Sequence, residues 1–154
     1  MASIFTNRGK YLILGGFFRK ETHPVTNDFY APLFTDDTAP TVDTDTVGDL
    51  TEVPTGNGYN SGGVAVPDTS SGFDVWTEDD GNDRAIIQAA DITYTASGGN
   101  LPNGDTAHWM GISDDNATVA SRQLLGVFDL VSGRQVSDTQ SLIIQDAEFR
   151  LSTP

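Results

Sequence analysis

The chain has no cysteine and only two histidines, and its eight lysines and arginines face twenty-two aspartates and glutamates. The missing cysteine removes disulfides, thiol nucleophiles and thiolate metal sites. Packing alone must therefore hold the fold, while the redox compartment stays open. The scarcity of cations excludes direct binding to DNA or RNA, which depends on neutralising phosphates with Lys and Arg. Long apolar runs are also missing. The longest mostly apolar stretch, Tyr11–Phe18, is broken by Gly15 and Gly16, and it falls far short of the roughly 20 residues that a membrane span needs. Arg8 and Lys10 before it imitate the start of a secretion signal, but Arg19 and Lys20 follow at once and no small-residue cleavage site is present, so none is expected.

What charge there is lies unevenly. Arg8, Lys10, Arg19 and Lys20 against Glu21 and Asp28 give residues 1–30 a net +2, which leaves −16 on the remainder of a chain whose total is −14. No cation lies between Lys20 and Arg84. An acidic surface of this kind keeps a protein displayed in many copies soluble and suppresses stray association. The length of 154 residues is that of a single domain, able to bury roughly 70% of its unfolded surface without staples.

Periodicity reads as β structure. Ala147, Phe149 and Leu151 alternate with Asp146, Glu148 and Arg150 as a closing, half-buried strand. Ile86, Ala90, Ile92 and Tyr94 share a parity and predict one strand over Ala85–Thr95. His108–Ser113 and Arg122–Leu130 are apolar on both faces, as central strands are. Turn residues separate these runs at Asp79–Asp83, Ser97–Gly104, Asp114–Thr118 and Ser132–Arg134. The spacing predicts an all-β, single-domain antiparallel β-sandwich or barrel. Residues 36–72 form a long Gly/Asp/Thr-rich loop. The one helical candidate, Ile4–Leu14, reads equally well as a first strand.

Catalytic signals are thin. His23 precedes Pro24 in a polar loop and His108 sits beside Trp109 at a strand start; both read as structural. There is no G-x-S-x-G, Walker or H-E-x-x-H sequence. Gly56, Gly58 and Gly62 make G-N-G-Y-N-S-G, one residue too long for a dinucleotide fingerprint and without its flanking strand and helix. Asp43, Asp45 and Asp49, then Glu78–Asp83, then Asp114–Asn116 could offer oxygens to calcium, but none completes an EF-hand loop and all read as solvated turns. The N-A-T at Asn116 matches a glycosylation acceptor only formally. No cofactor, metal or catalytic residue is expected. The aromatics Tyr30, Phe34, Tyr59, Phe73, Trp76 and Trp109 could stack on sugars but fall mostly within strand patterns, where core is the commoner role.

The segment Asp49–Gly63, D-L-T-E-V-P-T-G-N-G-Y-N-S-G-G, combines four glycines and a proline with a single tyrosine. That composition implies a defined backbone path, with Tyr59 largely buried under its own loop or against a neighbouring subunit. Tyr30–Pro40 (Y-A-P-L-F-T-D-D-T-A-P) precedes it, and Phe73–Arg84, Asp91–Gly99 and Ser113–Leu130 follow. The order of an aromatic strand, an LFT…AP turn, an LTE segment and a GNGY-SGG loop resembles that in small structural proteins of tailed bacteriophages, of the head-decoration and tail-fibre type.

The resemblance implies a non-enzymatic component of the virion. Small size and the lack of coiled-coil or repeat segments favour a capsid decoration (cement) protein on the head exterior. Such a protein would be made in the host cytoplasm and bind the major capsid protein or other virion proteins as a homo-oligomer, a trimer, without contact to nucleic acid or membrane. The alternative is a tail-fibre or baseplate module that recognises host glycans; a glycan hydrolase would need two carboxylates set across a cleft. The expected partner-binding residues are Ile4, Phe5, Arg8 and Lys10, on an arm spanning residues 1–10, together with Tyr59. The acidic loop Asp36–Asp49 is expected at an interface.

Overall fold

The structure, a computed structural model, describes residues 2–22, 24–35 and 39–152. His23 and the first residues of the expected loop, Asp36 and Asp37, lie outside this set. The strands are β1 (Ser3–Phe5), β2 (Asp28–Ala31), β3 (Leu33–Phe34), β4 (Val64–Pro67), β5 (Val75–Asp79) and β6 (Arg84–Ala89), then β7 (Ile92–Thr95), β8 (Ala107–Ser113), β9 (Leu124–Arg134), β10 (Ser141–Ile144) and β11 (Ala147–Ser152). Helix α1 (Asn7–Arg19) separates β1 from β2. The main sheet runs β1-β9-β8-β2-β4, with β3 also on β8; β11-β6-β5 and β10-β7 form two smaller sheets, and these pairs are antiparallel. The domain is thus all-β and sandwich-like.

Two apolar clusters explain why β8 and β9 read as central. On one face Met110, Ile112 and Phe128 pack with Ile92, Tyr94, Ile144 and Phe149 of the smaller sheets. On the other, Trp109, Leu124 and Val127 pack with Phe34 and with Val47 and Leu50 of the long connection. That connection is a covering layer. It contains a 3-10 turn at Val47–Asp49, capped by the Asp49 carboxylate on the Thr46 N–H at 2.8 Å, and it ends in β4.

Three sequence readings are corrected. The single strand over Ala85–Thr95 is two, β6 and β7, in different sheets. The chain turns at Ala90, whose N–H binds the Gly72 carbonyl at 2.9 Å, and burial switches from Ala89 to Ile92 and Tyr94. Ser132–Arg134 is not a turn but the end of β9. The ambiguous Ile4–Leu14 resolves into both alternatives, a strand and then a helix. Gly15 and Gly16 do not stop this helix, although each costs about 1 kcal/mol relative to alanine in a helix interior.

Candidate functional site

Helix α1 begins at a built anchor. Thr6 is its N-cap: the Thr6 hydroxyl accepts the Gly9 N–H at 2.9 Å and donates to the Leu124 carbonyl at 2.6 Å. The Thr6 N–H binds the Leu125 carbonyl at 3.1 Å. Leu125 is available for this because it is the extra residue of a β-bulge, with Ile112 opposite Gly126 but Ser113 opposite Leu124. Gly9 is buried at this point, and a Cβ there would overlap the Leu125 carbonyl. Arg8 Nε donates to Gln123 Oε1, and its guanidinium lies 5.1 Å from the Tyr11 ring centroid. At the far end Lys20 adopts the left-handed region, φ 56°, and the Glu21 N–H returns to the Gly15 carbonyl at 3.3 Å.

Past its first turn the helix keeps Leu12 half-buried but leaves its other large apolar side chains open. Tyr11 is 65% exposed, Leu14 55%, Phe17 79% and Phe18 74%. Tyr11, Leu14 and Phe18 fall at i, i+3 and i+7 and form one stripe. Ile13 faces away from this stripe, and Phe17 lies between the two, its ring 5.1 Å from that of Phe18. A helix that is apolar all round belongs in an interior, yet Gly9 is the buried residue of this one.

Beside α1 opens an apolar groove of about 360 Å³, with Ile13 on the helix side and the β11-β6-β5 sheet opposite. Register places Trp76 across from Ile87, and Ile87 across from Phe149, so three large apolar side chains make one cross-strand row. Trp76 is 87% exposed, and Ile87 and Leu151 are also open to solvent. Phe149 forms the inner end, its ring 5.3 Å from Phe5 and 4.8 Å from Phe128.

The residues singled out in the sequence scatter. Ile4 and Phe5 are half-buried in β1, where Ile4 pairs with Val127 and Phe5 with Gly126. Residues 3–5 are thus an edge strand and not a free arm; what projects is the helix that follows. Lys10 is exposed on α1. Tyr59 is 2% exposed and held by its own chain. Its hydroxyl donates to Glu52 Oε1 at 2.7 Å and accepts the Leu33 N–H at 3.0 Å. Glu52 also takes the Ser61 hydroxyl at 2.8 Å and the Gly62 N–H. Arg122 completes the clamp on this loop, donating to the Gly62 carbonyl at 3.3 Å with its guanidinium 3.9 Å from the Tyr30 ring centroid. Gly58 and Gly63 have positive φ and pass so close to the Thr95 and Ala31 carbonyls that no Cβ fits.

Of the aromatics, Phe34, Tyr59 and Trp109 are core, Phe73 packs edge-on against Phe29, and Trp76 is open. The acidic turns use their carboxylates locally. Asp115 accepts from the Thr26 hydroxyl at 2.7 Å and the Asn27 N–H at 3.0 Å, and the Thr26 hydroxyl is the main cause holding it below its ordinary range. Asp79 is lowered by Asn82 and then by Arg84. Among the described residues no three His, Asp or Glu side chains converge as metal ligands, and no helix is long and apolar enough to cross a membrane. His108 lies 3.1 Å from the Thr106 hydroxyl.

Sequence reasoning misses the site because it tests Tyr11–Phe18 for membrane length and not for what would cover it. The signal was there: apolar residues on every side of one short helical segment. No family model matches the chain, and neither a curated protein nor a solved structure matches it. Fold and site together define a class of architecture, an acidic all-β domain that presents one anchored, apolar, basic helix.

Proposed function

We propose that the protein is a non-enzymatic structural component that works by docking helix α1, and that it serves as a capsid decoration protein on the exterior of a tailed-phage head. The observation that carries the docking reading is α1 itself. Its cap, glycine and bulge fix its first turn on the sheet, while Tyr11, Leu14, Phe17 and Phe18 stay largely uncovered. Exposed apolar surface presented this way marks a protein contact. The order of sequence blocks supplies the phage setting, and the charge of −14 suits a crowded outer surface.

The test is binding of the purified chain to emptied phage heads stripped of minor proteins, followed by counting copies per particle. Hundreds of copies, with heads that resist heating better, are the expected result. Absence from heads together with a few dozen copies on tails would replace this reading with the tail-module one. The exposed Trp76 gives that second reading its one specific foothold, since a glycan could stack on it.

A further inference from the structure

We propose that the surface covering α1 is the groove of a second copy of this chain. The α1 stripe Tyr11–Leu14–Phe18 would seat on the Trp76–Ile87–Leu151 face of its neighbour. This rests on the reading of α1 as a docking element and names its partner.

Charge selects the occupant. Residues 8–20 carry Arg8, Lys10, Arg19 and Lys20, half of all the cations in the chain. The segment that builds the outer wall of the groove, residues 68–83, carries Asp68, Asp74, Glu78, Asp79, Asp80 and Asp83, of which Asp79 is already paired with Arg84 at 2.7 Å. Asp68 lines the groove itself. A basic apolar helix against an acidic-rimmed apolar groove is complementary in both respects. Two α1 helices packed on each other would instead bring Lys10, Arg19 and Lys20 toward their like.

Geometry excludes the helix's own groove as the site for this stripe. The Thr6 cap and Gly9 fix the first turn on the Leu125 bulge, and Ile13, on the opposite side of α1, already lines that groove. Tyr11, Leu14 and Phe18 therefore point where only another molecule can reach. The apolar area is adequate. At roughly 200 Å² for a whole aromatic side chain, the exposed parts of Tyr11, Phe17, Phe18 and Trp76 offer on the order of 600 Å². That is about half of the smallest stable interface, before Leu14, Ile87 and Leu151 are added. Because the two surfaces are unlike, the contact closes as a reciprocal pair or as a ring; the trimer expected from the sequence is the smallest ring.

The experiment uses two full-length variants at exposed positions, Phe18→Asp, which spoils the helix, and Trp76→Asp, which spoils the groove. Molar mass by light scattering is expected to show an oligomer for the parent chain and monomers for each variant. The decisive step is to mix the two variants. Each retains the surface the other lacks, so the mixture should form a 1:1 heterodimer that neither forms alone. A parent chain that stays monomeric at high concentration, a Trp76→Asp chain that still assembles, or a mixture that fails to complement while circular dichroism shows both folded would each overturn the proposal. Binding of the parent to phosphatidylglycerol vesicles, lost in Phe18→Asp but kept in Trp76→Asp, would assign α1 to a lipid surface instead. Binding to phage heads is measured separately: heads decorated by a monomeric Trp76→Asp chain would sink self-association and leave the decoration reading standing.

Discussion

The Tyr59 hydroxyl donates to Glu52 Oε1 at 2.7 Å, across the base of the Gly-rich loop that holds both residues. One buried phenol thereby ties the loop to β3, through the Leu33 N–H, and to the Gly62 turn, through the shared carboxylate. A phenylalanine at position 59 would fill the same space but leave that amide and that carboxylate each short of a partner. Tyr59→Phe should destabilise the domain by about 1.5–3 kcal/mol, read from urea denaturation. A cost under about 0.5 kcal/mol would mean that water replaces the hydroxyl.

The same burial sets the alkaline limit. Desolvation first, and then the nearby Glu52, push Tyr59 far above its ordinary 10.0, and burial pushes Tyr94 the same way. A group whose folded pKa is raised contributes stability that is complete below the unfolded value and is lost as pH rises past it. Stability should therefore fall above about pH 10, and the phenolate absorbance of these two tyrosines should appear together with unfolding. Their ionisation in a chain that keeps its native near-ultraviolet dichroism would contradict the burial.

Gly9 and Gly16 make an internal control on α1. A methyl group at Gly9 meets the Leu125 carbonyl, a backbone atom that cannot swing aside, whereas one at Gly16 meets nothing. Gly9→Ala should cost about 1–3 kcal/mol by forcing the helix off its bulge. Gly16→Ala should gain about 0.5–1 kcal/mol from helix propensity alone. Melting temperatures shifting in the same direction would show that α1 is not anchored at Gly9.

Phe149→Ala should cost about 3–5 kcal/mol, because its ring fills the space between Phe5 and Phe128 that Gly126 leaves open. Glu148→Ala removes a partly exposed ion pair with Arg150 and should cost about 0.5 kcal/mol. Comparable midpoints for the two variants would reverse the assigned faces of β11.

Asp115 governs part of the acid limb. Its folded pKa lies below the ordinary 3.8, so its contribution is present above that value and fades as pH falls through the lower folded one. Asp115→Asn should flatten the loss of stability below about pH 4. Identical acid profiles for the parent and Asp115→Asn would remove the Thr26–Asn27 contact from the account.

The sequence by itself determined the all-β class, since alternation at Ala147–Leu151 and double-sided apolarity over His108–Ser113 report burial that each strand imposes on its own residues. It also determined that Tyr59 would be covered, because a tyrosine amid glycines has no other use. It did not show that Ala85–Thr95 divides between two sheets. The division at Ala90 is marked by a hydrogen bond to Gly72, a partner well back along the chain. Nor did it show that α1 would be left exposed. The apolar residues of Tyr11–Phe18 look the same whether a core, a bilayer or another protein covers them. Only the tertiary structure decides that the domain's own core leaves most of them out, because the Leu125 bulge and Gly9 fix where the helix starts, and from that point Leu12 alone of its large apolar side chains is drawn to half-burial.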